Sequence, residues 1–293
     1  MKQLLILSGK GGTGKTTIAS AFIKLADARA YADCDVDAPN LHLVMQQASQ
    51  GQFSDYYGLG KANIDNEICI HCGICKENCR FDAIEFDEDN NYIVNNFACE
   101  GCGVCEFVCP VNAVHMEDNI AGELELYADG HVFSTATLKM GEGTSGLLVS
   151  DVKKNMKSAA ENIDLAIIDG SPGIGCPVIA SLSGVDMVLI VSEPSISGIS
   201  DMKRIIYTAD KFQIKTLVCV NKYDTNIENT DEIIKICKEM KIPFVGKIPY
   251  DYEALKAVNS GYTIVDVDCM AGRASKEIFN NTMKILKGRE EEI

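Results

Sequence analysis

The chain has 293 residues, of which 46% are hydrophobic, and its 42 acidic against 27 basic side chains give a formal net charge of -15. That length leaves room for one large α/β domain and something small, with a buried core, while the acidity argues against nucleic acid as a ligand. No apolar stretch approaches the roughly 20 residues of a spanning helix, so no membrane is expected as a partner; eight of the 13 cysteines are regularly spaced, as expected for metal ligands in the reducing cytoplasm rather than secreted disulfides.

The first apolar run, Gln3 to Leu7, reads as a buried strand and not a signal peptide. Gly9 to Gly14 reads as a tight loop, and Lys15 to Ala28 as a helix with apolar residues at helical spacing. Within this stretch Gly9-Lys10-Gly11-Gly12-Thr13-Gly14-Lys15-Thr16 satisfies the phosphate-loop pattern, placed between a strand and a helix as that pattern requires. The loop's backbone N–H groups, from Gly9 through Thr17, suit nucleotide phosphates at a helix N-terminus. Lys15 is the residue to reach the β- and γ-phosphates, and the Thr16 hydroxyl is placed for magnesium.

A second strand runs into Ala32-Asp33-Cys34-Asp35, and the text turns polar and glycine-containing between His42 and Lys61. The expected division is a nucleotide-binding part at residues 1–60, an insert at 61–117 and the remainder of the nucleotide-binding domain at 118–293. Within the insert the sequence repeats at an offset of 30, Cys79-Arg-Phe-Asp-Ala-Ile-Glu-Phe86 aligning with Cys109-Pro-Val-Asn-Ala-Val-His-Met116. Ala83 to Phe86 and Tyr92 to Val94 flank the turn-like stretch Asp87 to Asn91, as a hairpin would.

Each half of the repeat carries a complete cysteine run of the bacterial ferredoxin type, Cys69-x2-Cys72-x2-Cys75-x3-Cys79 and Cys99-x2-Cys102-x2-Cys105-x3-Cys109. In such runs the fourth cysteine ligates the other cluster. Two 4Fe-4S clusters are therefore expected, one on Cys69, Cys72, Cys75 and Cys109, the other on Cys99, Cys102, Cys105 and Cys79. Paired zinc sites are the competing reading, but zinc modules separate two short cysteine pairs by a longer spacer. Arg80 stands where the first run would usually have proline, which bears on geometry and not on ligation.

After Asp118 the α/β pattern resumes, with strands expected at Leu165 to Ile168, Met187 to Val191, Thr216 to Val220 and Phe244 to Ile248. Residues Gly122 to Gly146 suit either a hairpin or an ordered loop over the site. Leu165-Ala-Ile-Ile-Asp169-Gly-Ser-Pro-Gly173 is a strand ending in a carboxylate that reaches magnesium. Cys34 and Cys176 are candidates to face the nucleotide or a second protomer, while Cys219 and Cys237 read as small buried hydrophobes. An amphipathic C-terminal helix with Ile278, Phe279, Met283, Ile285 and Leu286 reads as packing on the core, and the chain closes with Arg289-Glu-Glu-Glu-Ile293.

Lys10 in the phosphate loop, Asp33-Cys-Asp35-Val-Asp-Ala-Pro-Asn40 and Asp169-Gly-Ser-Pro-Gly173 together resemble the MinD/ParA group of deviant Walker-A ATPases. The whole chain resembles MinD-superfamily ATPases with an inserted two-cluster ferredoxin domain. The resemblance implies a P-loop α/β fold with a mostly parallel sheet flanked by helices, plus an α+β ferredoxin-like module. It further implies ATP with Mg2+ as ligands, and an ATP-bound dimer, of two copies or with a paralogue, in which Lys10 crosses to the partner's nucleotide. By the same resemblance Asp35 positions the attacking water, Asp33 sits near magnesium, and Asn221, Pro249 and Tyr250 line the adenine. Lys10, Lys15 and Asp35 are then the catalytic set. The cysteine pair of nitrogenase iron proteins and the Cys-x-Cys of nickel-insertion ATPases are both absent from this sequence.

The expected function is an ATPase that couples ATP to electron transfer, or to iron-sulfur or metal-cofactor maturation, of a redox or metallocofactor client protein. Two other classes compete: a positioning ATPase of the MinD kind with redox-sensing clusters, and an ATP-dependent amide ligase of the cobyrinic acid type. The first needs a membrane or scaffold anchor, and the second finds no glutaminase domain in this chain.

Overall fold

Four uninterrupted apolar runs, and a fifth broken by Gly246 and Lys247, become parallel strands in the computed structural model, which describes residues 1–47 and 50–288. They are β1 (Lys2–Leu7), β10 (Leu165–Asp169), β11 (Met187–Ser192), β12 (Lys215–Asn221) and β13 (Phe244–Ile248). With β2 (Ala30–Asp33), β3 (Gln52–Tyr57), β8 (Ile120–Asp129) and β9 (His131–Leu138) they form one sheet in the order β13-β12-β11-β1-β10-β2-β9-β8-β3. Residues 122–146, for which a hairpin or a covering loop was expected, supply β8 and β9, which meet at Gly130.

The reason for the apolar runs is burial on both faces, since alternate strand residues point to opposite sides. Leu4, Ile6, Ile167, Leu189 and Leu217 belong to one core layer with Phe22, Ile278 and Ile285, whereas Leu5, Leu7, Ile168 and Val188 are equally buried outside that layer. The layer is roofed by α1 (Lys15–Ala26) and α9 (Met270–Leu286), where Phe22 and Phe279 meet edge to face with ring centroids 5.2 Å apart. Helices α6 (Ile196–Lys211) and α7 (Ile227–Glu239) pack on β11, β12 and β13. Each fully buried Leu or Ile contributes about 1.5–3 kcal/mol relative to exposure. The amphipathic C-terminal helix therefore packs on the core as expected, while residues 289–293 lie outside the described residues.

Helix α1 stops at Ala26, two residues short of the expected Ala28, because Asp27 turns left-handed (φ 46°) and its N–H caps the carbonyls of Ile23 and Lys24. The second strand likewise ends at Asp33, because the Asp33 carboxylate draws the following backbone into a turn. Among the described residues no helix is long and apolar enough to cross a membrane.

The chain divides into two compact units: residues 1–53, 125–136 and 146–293 form the first, and 54–124 with 137–145 the second. The second contains β4 (Lys61–Ile64), α2 (Ile74–Glu77), β5 (Ile84–Phe86), β6 (Tyr92–Val94), α3 (Val104–Phe107) and β7 (Val114–Glu117). Its two halves are the sequence repeat made structural. The left-handed residues His71, Gly73 and Asp82 recur 30 positions later as Gly101, Gly103 and Asn112.

The pairing of these strands is crosswise. β4, from the first half, pairs antiparallel with β7, from the second, with Ile64 opposite Val114; β5 and β6 pair in the same register, with Ile84 opposite Val94. A shift of 30 converts one pair into the other. The backbone bonds Asp65 N–H to Ala113 O and Asn95 N–H to Ala83 O repeat the exchange. Each half thus closes on the other, around a small core that includes Ile64, Ile84, Tyr92 and Val114.

Candidate functional site

In the first unit the phosphate loop connects β1 to α1 through Gly12 (φ 78°) and Gly14 (φ 87°), left-handed positions that glycine adopts without strain. Gly14 is the N-cap of α1, and a side chain there would collide with Asn221 Nδ2. The loop forms one side of a cavity of about 980 Å3 whose other walls come from Asp35, Asn40, Ser171 and Val258. Every residue from Lys10 to Thr17 lines it. An anion-binding helix terminus facing a cavity of this size suits a nucleotide's phosphates.

Parallel registry sets the carboxylates. Asp169 at the end of β10 pairs with Ile6 of β1 on one side and with Asp33 of β2 on the other, so two carboxylates stand at one level beside the loop. Lys15 Nζ lies 2.6 Å from Asp169 Oδ1, both residues being buried. Burial drags the Lys15 ammonium down, but the Asp169 charge, with Asp33 and Asp35 behind it, outweighs this and holds it above the ordinary lysine value. Burial also pushes Asp169 up to about 6, against the pull of Lys15 and with the push of Asp33.

Asp33 is raised by burial as well, although Lys15 and three backbone N–H groups act the other way. Those donors are Asp35 N at 3.0 Å and Asn40 N and Leu41 N, each at 2.9 Å. The carboxylate therefore shapes the turn that carries Asp35, whose own carboxyl is raised to about 6 by burial. Asp169 Oδ2 is buried without a hydrogen-bond partner. An orphaned acceptor among carboxylates that outnumber their one buried ammonium is an arrangement that a hydrated divalent cation satisfies, so the residues present fit magnesium.

Lys10 leaves the loop sideways. Its Nζ lies 2.8 Å from Glu193 Oε2 and 3.3 Å from Ser195 Oγ, the N-cap of α6. The Asn221 side chain donates to Thr13 O at 2.7 Å and its Oδ1 accepts from Lys222 N, while Lys222 Nζ donates to Gly12 O at 3.0 Å. Asn221, Pro249 and Tyr250 line a second cavity, together with Gly12, Gly14 and Thr17, beside the first. The Glu193 and Lys222 contacts with the loop carry no local sequence signal, each being made between distant strand ends.

Cys34 and Cys176 separate. Cys34 is wholly buried and burial pushes its thiol up to about 12, so it faces neither nucleotide nor partner as a thiolate; Cys176 is exposed at the start of α5 (Cys176–Leu182). Cys269 is the N-cap of α9, its sulfur accepting from Gly272 N at 3.2 Å. From the sequence Cys269 reads only as a small buried hydrophobe, and it is buried.

In the second unit the eight regularly spaced cysteines fall into two cavities. Cys69, Cys72 and Cys75 line one, with Cys109 from the opposite half; Cys99, Cys102 and Cys105 line the other, with Cys79. The crosswise strand pairing brings each fourth cysteine over. Cys75 and Cys105, at equivalent positions, are both raised by burial, whereas backbone N–H groups around Cys109, led by Val111, outweigh its burial and hold that thiol below the ordinary value. Among the described residues no three His, Cys, Asp or Glu side chains are gathered closely enough to hold a metal ion. The four cysteines of each set nonetheless line one small cavity, and four thiols in one lining are the donor type that a cubane takes, each thiolate on its own iron.

A family model described as the CobQ/CobB/MinD/ParA nucleotide binding domain matches residues 4–264. The uncharacterized protein MJ0578 of Methanocaldococcus jannaschii is 32% identical over 287 residues, 97% of each chain. The iron-sulfur cluster carrier protein of Methanococcus maripaludis is 27% identical over 138 residues, 43% of this chain and 48% of that protein. The structure of the septum site-determining protein MinD complexed with Mg-ADP, from Pyrococcus horikoshii, superposes with a TM-score of 0.58 at 16% identity, covering 99% of each chain.

Proposed function

The chain belongs to the CobQ/CobB/MinD/ParA nucleotide-binding family, and from that premise we propose that it is a magnesium-dependent ATPase whose inserted ferredoxin-like module, residues 61–117, carries two 4Fe-4S clusters. ATP binding closes a dimer of two copies, or of this chain with a paralogue, and hydrolysis opens it. The work coupled to that cycle is electron transfer to a client protein, or maturation of the client's iron-sulfur or metal cofactor. The observation that carries this reading is that one chain holds a phosphate-loop cavity and two cavities each lined by four cysteines in crosswise sets.

In the nucleotide unit, Lys15 is the charge that meets the β- and γ-phosphates, and Gly9 to Thr17 hold them through backbone N–H groups, with Lys10 to Thr17 lining the cavity. Thr16, Asp33 and Asp169 hold magnesium, which when bound supplies charge neutralisation at the phosphates. Asp35 orients the attacking water, its carboxylate positioned by the turn that Asp33 holds. Lys10 must leave Glu193 before it reaches a second protomer's nucleotide. Asn221, Pro249 and Tyr250 form the adenine wall.

In the second unit, each set of three thiols and its crosswise fourth hold a cluster that supplies a one-electron couple. The iron-sulfur carrier name of the Methanococcus relative supports the maturation arm over its 43% coverage of this chain. By chain connectivity, the turn that carries Asp35 and Asn40 leads into β3 and from there into the cysteine unit. Collapse or ordering of that turn with nucleotide state is the physical basis for coupling.

The test is anaerobic EPR of the iron-reconstituted, dithionite-reduced protein without nucleotide, with Mg-ADP and with a non-hydrolysable ATP analogue, alongside phosphate release. Two spin-coupled cubane signals that change with the analogue are expected. Signals indifferent to nucleotide would leave clusters that only sense redox state, and a protein that assembles no clusters would overturn the reading.

A further inference from the structure

The two cysteine cavities are related by the 30-residue shift, so their differences are the informative part. Shifting the walls of one reproduces the walls of the other: Ile64, Ala113 and Val114 match Val94, Ala83 and Ile84. Three wall positions differ in character. Tyr92, Ile70 and Val111 at the first cavity are replaced at the second by Ala62, Glu100 and Phe81.

Outside the walls the difference is larger. The second cysteine run is bracketed by Phe97, two residues before Cys99, and Phe107, two residues after Cys105, which are 83% and 91% exposed. The equivalent residues of the first run are Glu67 and Glu77, both exposed. A Cβ at Gly141 would stand 3.3 Å from the Phe97 ring, so the ring lies against the backbone at Gly141, next in the chain to Met140, itself 95% exposed. Aromatic rings and methionine left this bare have the composition of an interface core and find no partner within the unit.

Charge decides the occupant. The second unit carries 15 acidic and four basic side chains, a net -11 of the chain's -15, and thiolate-bound clusters add negative charge. A second copy of so acidic a surface would be repelled, while a basic one would be steered to it.

Resting on the reading that clusters fill these cavities, we propose that the mouth of the second cavity, bracketed by Phe97 and Phe107 with Met140 alongside, docks a one-electron redox protein. That partner's contact face is apolar at its centre and rimmed with lysine and arginine. The cluster of Cys79, Cys99, Cys102 and Cys105 is then the port to the partner. The step is an exchange of one electron between that cluster and the partner's centre, one oxidised as the other is reduced, with no bond made or broken.

The test uses oxidised cytochrome c, a small basic haem protein, as the probe against oxidised, cluster-loaded protein. Its equilibrium Kd is read by calorimetry, and the rate at which the reduced loaded protein reduces it by stopped flow. Phe97→Ser with Phe107→Ser, fully exposed positions that leave the cavities intact, is expected to weaken Kd and slow the second-order reduction at least tenfold, with iron content and EPR signals unchanged. Wild-type affinity is expected to fall steeply with salt. Ile68→Ser with Ile93→Ser, exposed apolar residues that line neither cavity, is the control and is expected to change both by less than twofold.

Equal losses for the two pairs, or a loss for the Ile pair alone, would overturn the assignment of the port. So would self-association of the loaded wild type that the Phe pair abolishes in sedimentation, since the occupant is then a second copy. A chain that takes up no iron would overturn the functional reading and this inference together, whereas a loaded chain whose affinity ignores Phe97 and Phe107 overturns the inference alone.

Discussion

Lys10 Nζ stands 2.8 Å from Glu193 Oε2, so the lysine that opens the phosphate loop is tied to the end of β11 within its own chain. About a third of each side chain is exposed, and a pair of that kind contributes about 1 kcal/mol or less. Glu193→Gln is therefore expected to leave the melting temperature within roughly 2 °C, while lowering the ATP concentration for half-maximal dimerisation about two- to fivefold in light scattering. Lys10→Ala is expected to bind a fluorescent ATP analogue yet fail to dimerise. A dimerisation curve unmoved by Glu193→Gln would show that the pair does not restrain the lysine.

Lys15 is the one ammonium that Asp33 and Asp169 share in the buried part of the site. Its removal strands both carboxylates, and breaking a buried pair costs about 3–5 kcal/mol. Lys15→Ala is expected to lose nucleotide binding and, in the nucleotide-free protein, to lower the unfolding free energy read from urea titration by that amount, moving the midpoint to lower urea. A midpoint unchanged from wild type would contradict the buried ion pair.

Asp35 and Asp169 both titrate near 6, raised by burial. A carboxyl raised on folding contributes stability that is fully present below its unfolded value, near 4, and is lost as pH rises through about 6. In thermal melts of the nucleotide-free protein from pH 4.5 to 7.5, the stability of wild type relative to Asp35→Asn is expected to fall as pH rises and to level off above about 7. A difference that is flat, or that rises with pH, would show that burial does not govern Asp35.

The crosswise cysteine sets predict which signal each substitution removes. Cys109→Ala is expected to disturb the cluster of Cys69, Cys72 and Cys75, and Cys79→Ala the cluster of Cys99, Cys102 and Cys105, with iron content falling from about eight to about four per chain in each case. Paired with Cys102→Ala, the Cys79 variant should lose no further iron, whereas Cys109→Ala with Cys102→Ala should lose nearly all. The opposite pattern of double variants would mean that each run closes its own cluster.

Much of the chain was legible before its fold was known, and for a local reason. A phosphate-loop pattern is eight consecutive residues at the junction of a strand and a helix, and a buried parallel strand is an apolar run, so both are written in neighbouring positions. The limits of this reading are equally local: α1 ended early on the left-handed Asp27, and residues 122–146 fitted two structures until strand pairing selected one. Cys34, read as a candidate to face the nucleotide, proved fully buried, because its neighbours in the fold are not its neighbours in the chain.

The amino-acid sequence by itself determined the phosphate-loop residues from Gly9 to Thr17, the two cysteine runs, the 30-residue duplication and the family, since each depends on residue types at short fixed spacing. Only the tertiary structure decided that β4 pairs with β7 and β5 with β6, that Asp33 gathers three backbone N–H groups, that Glu193 holds Lys10, and that the aromatic residues flanking one cysteine run stand bare to solvent. Those relationships join residues far apart in sequence, and the backbone entropy lost in bringing them together is offset by packing of the whole sheet and its helices, which no short stretch of chain encodes.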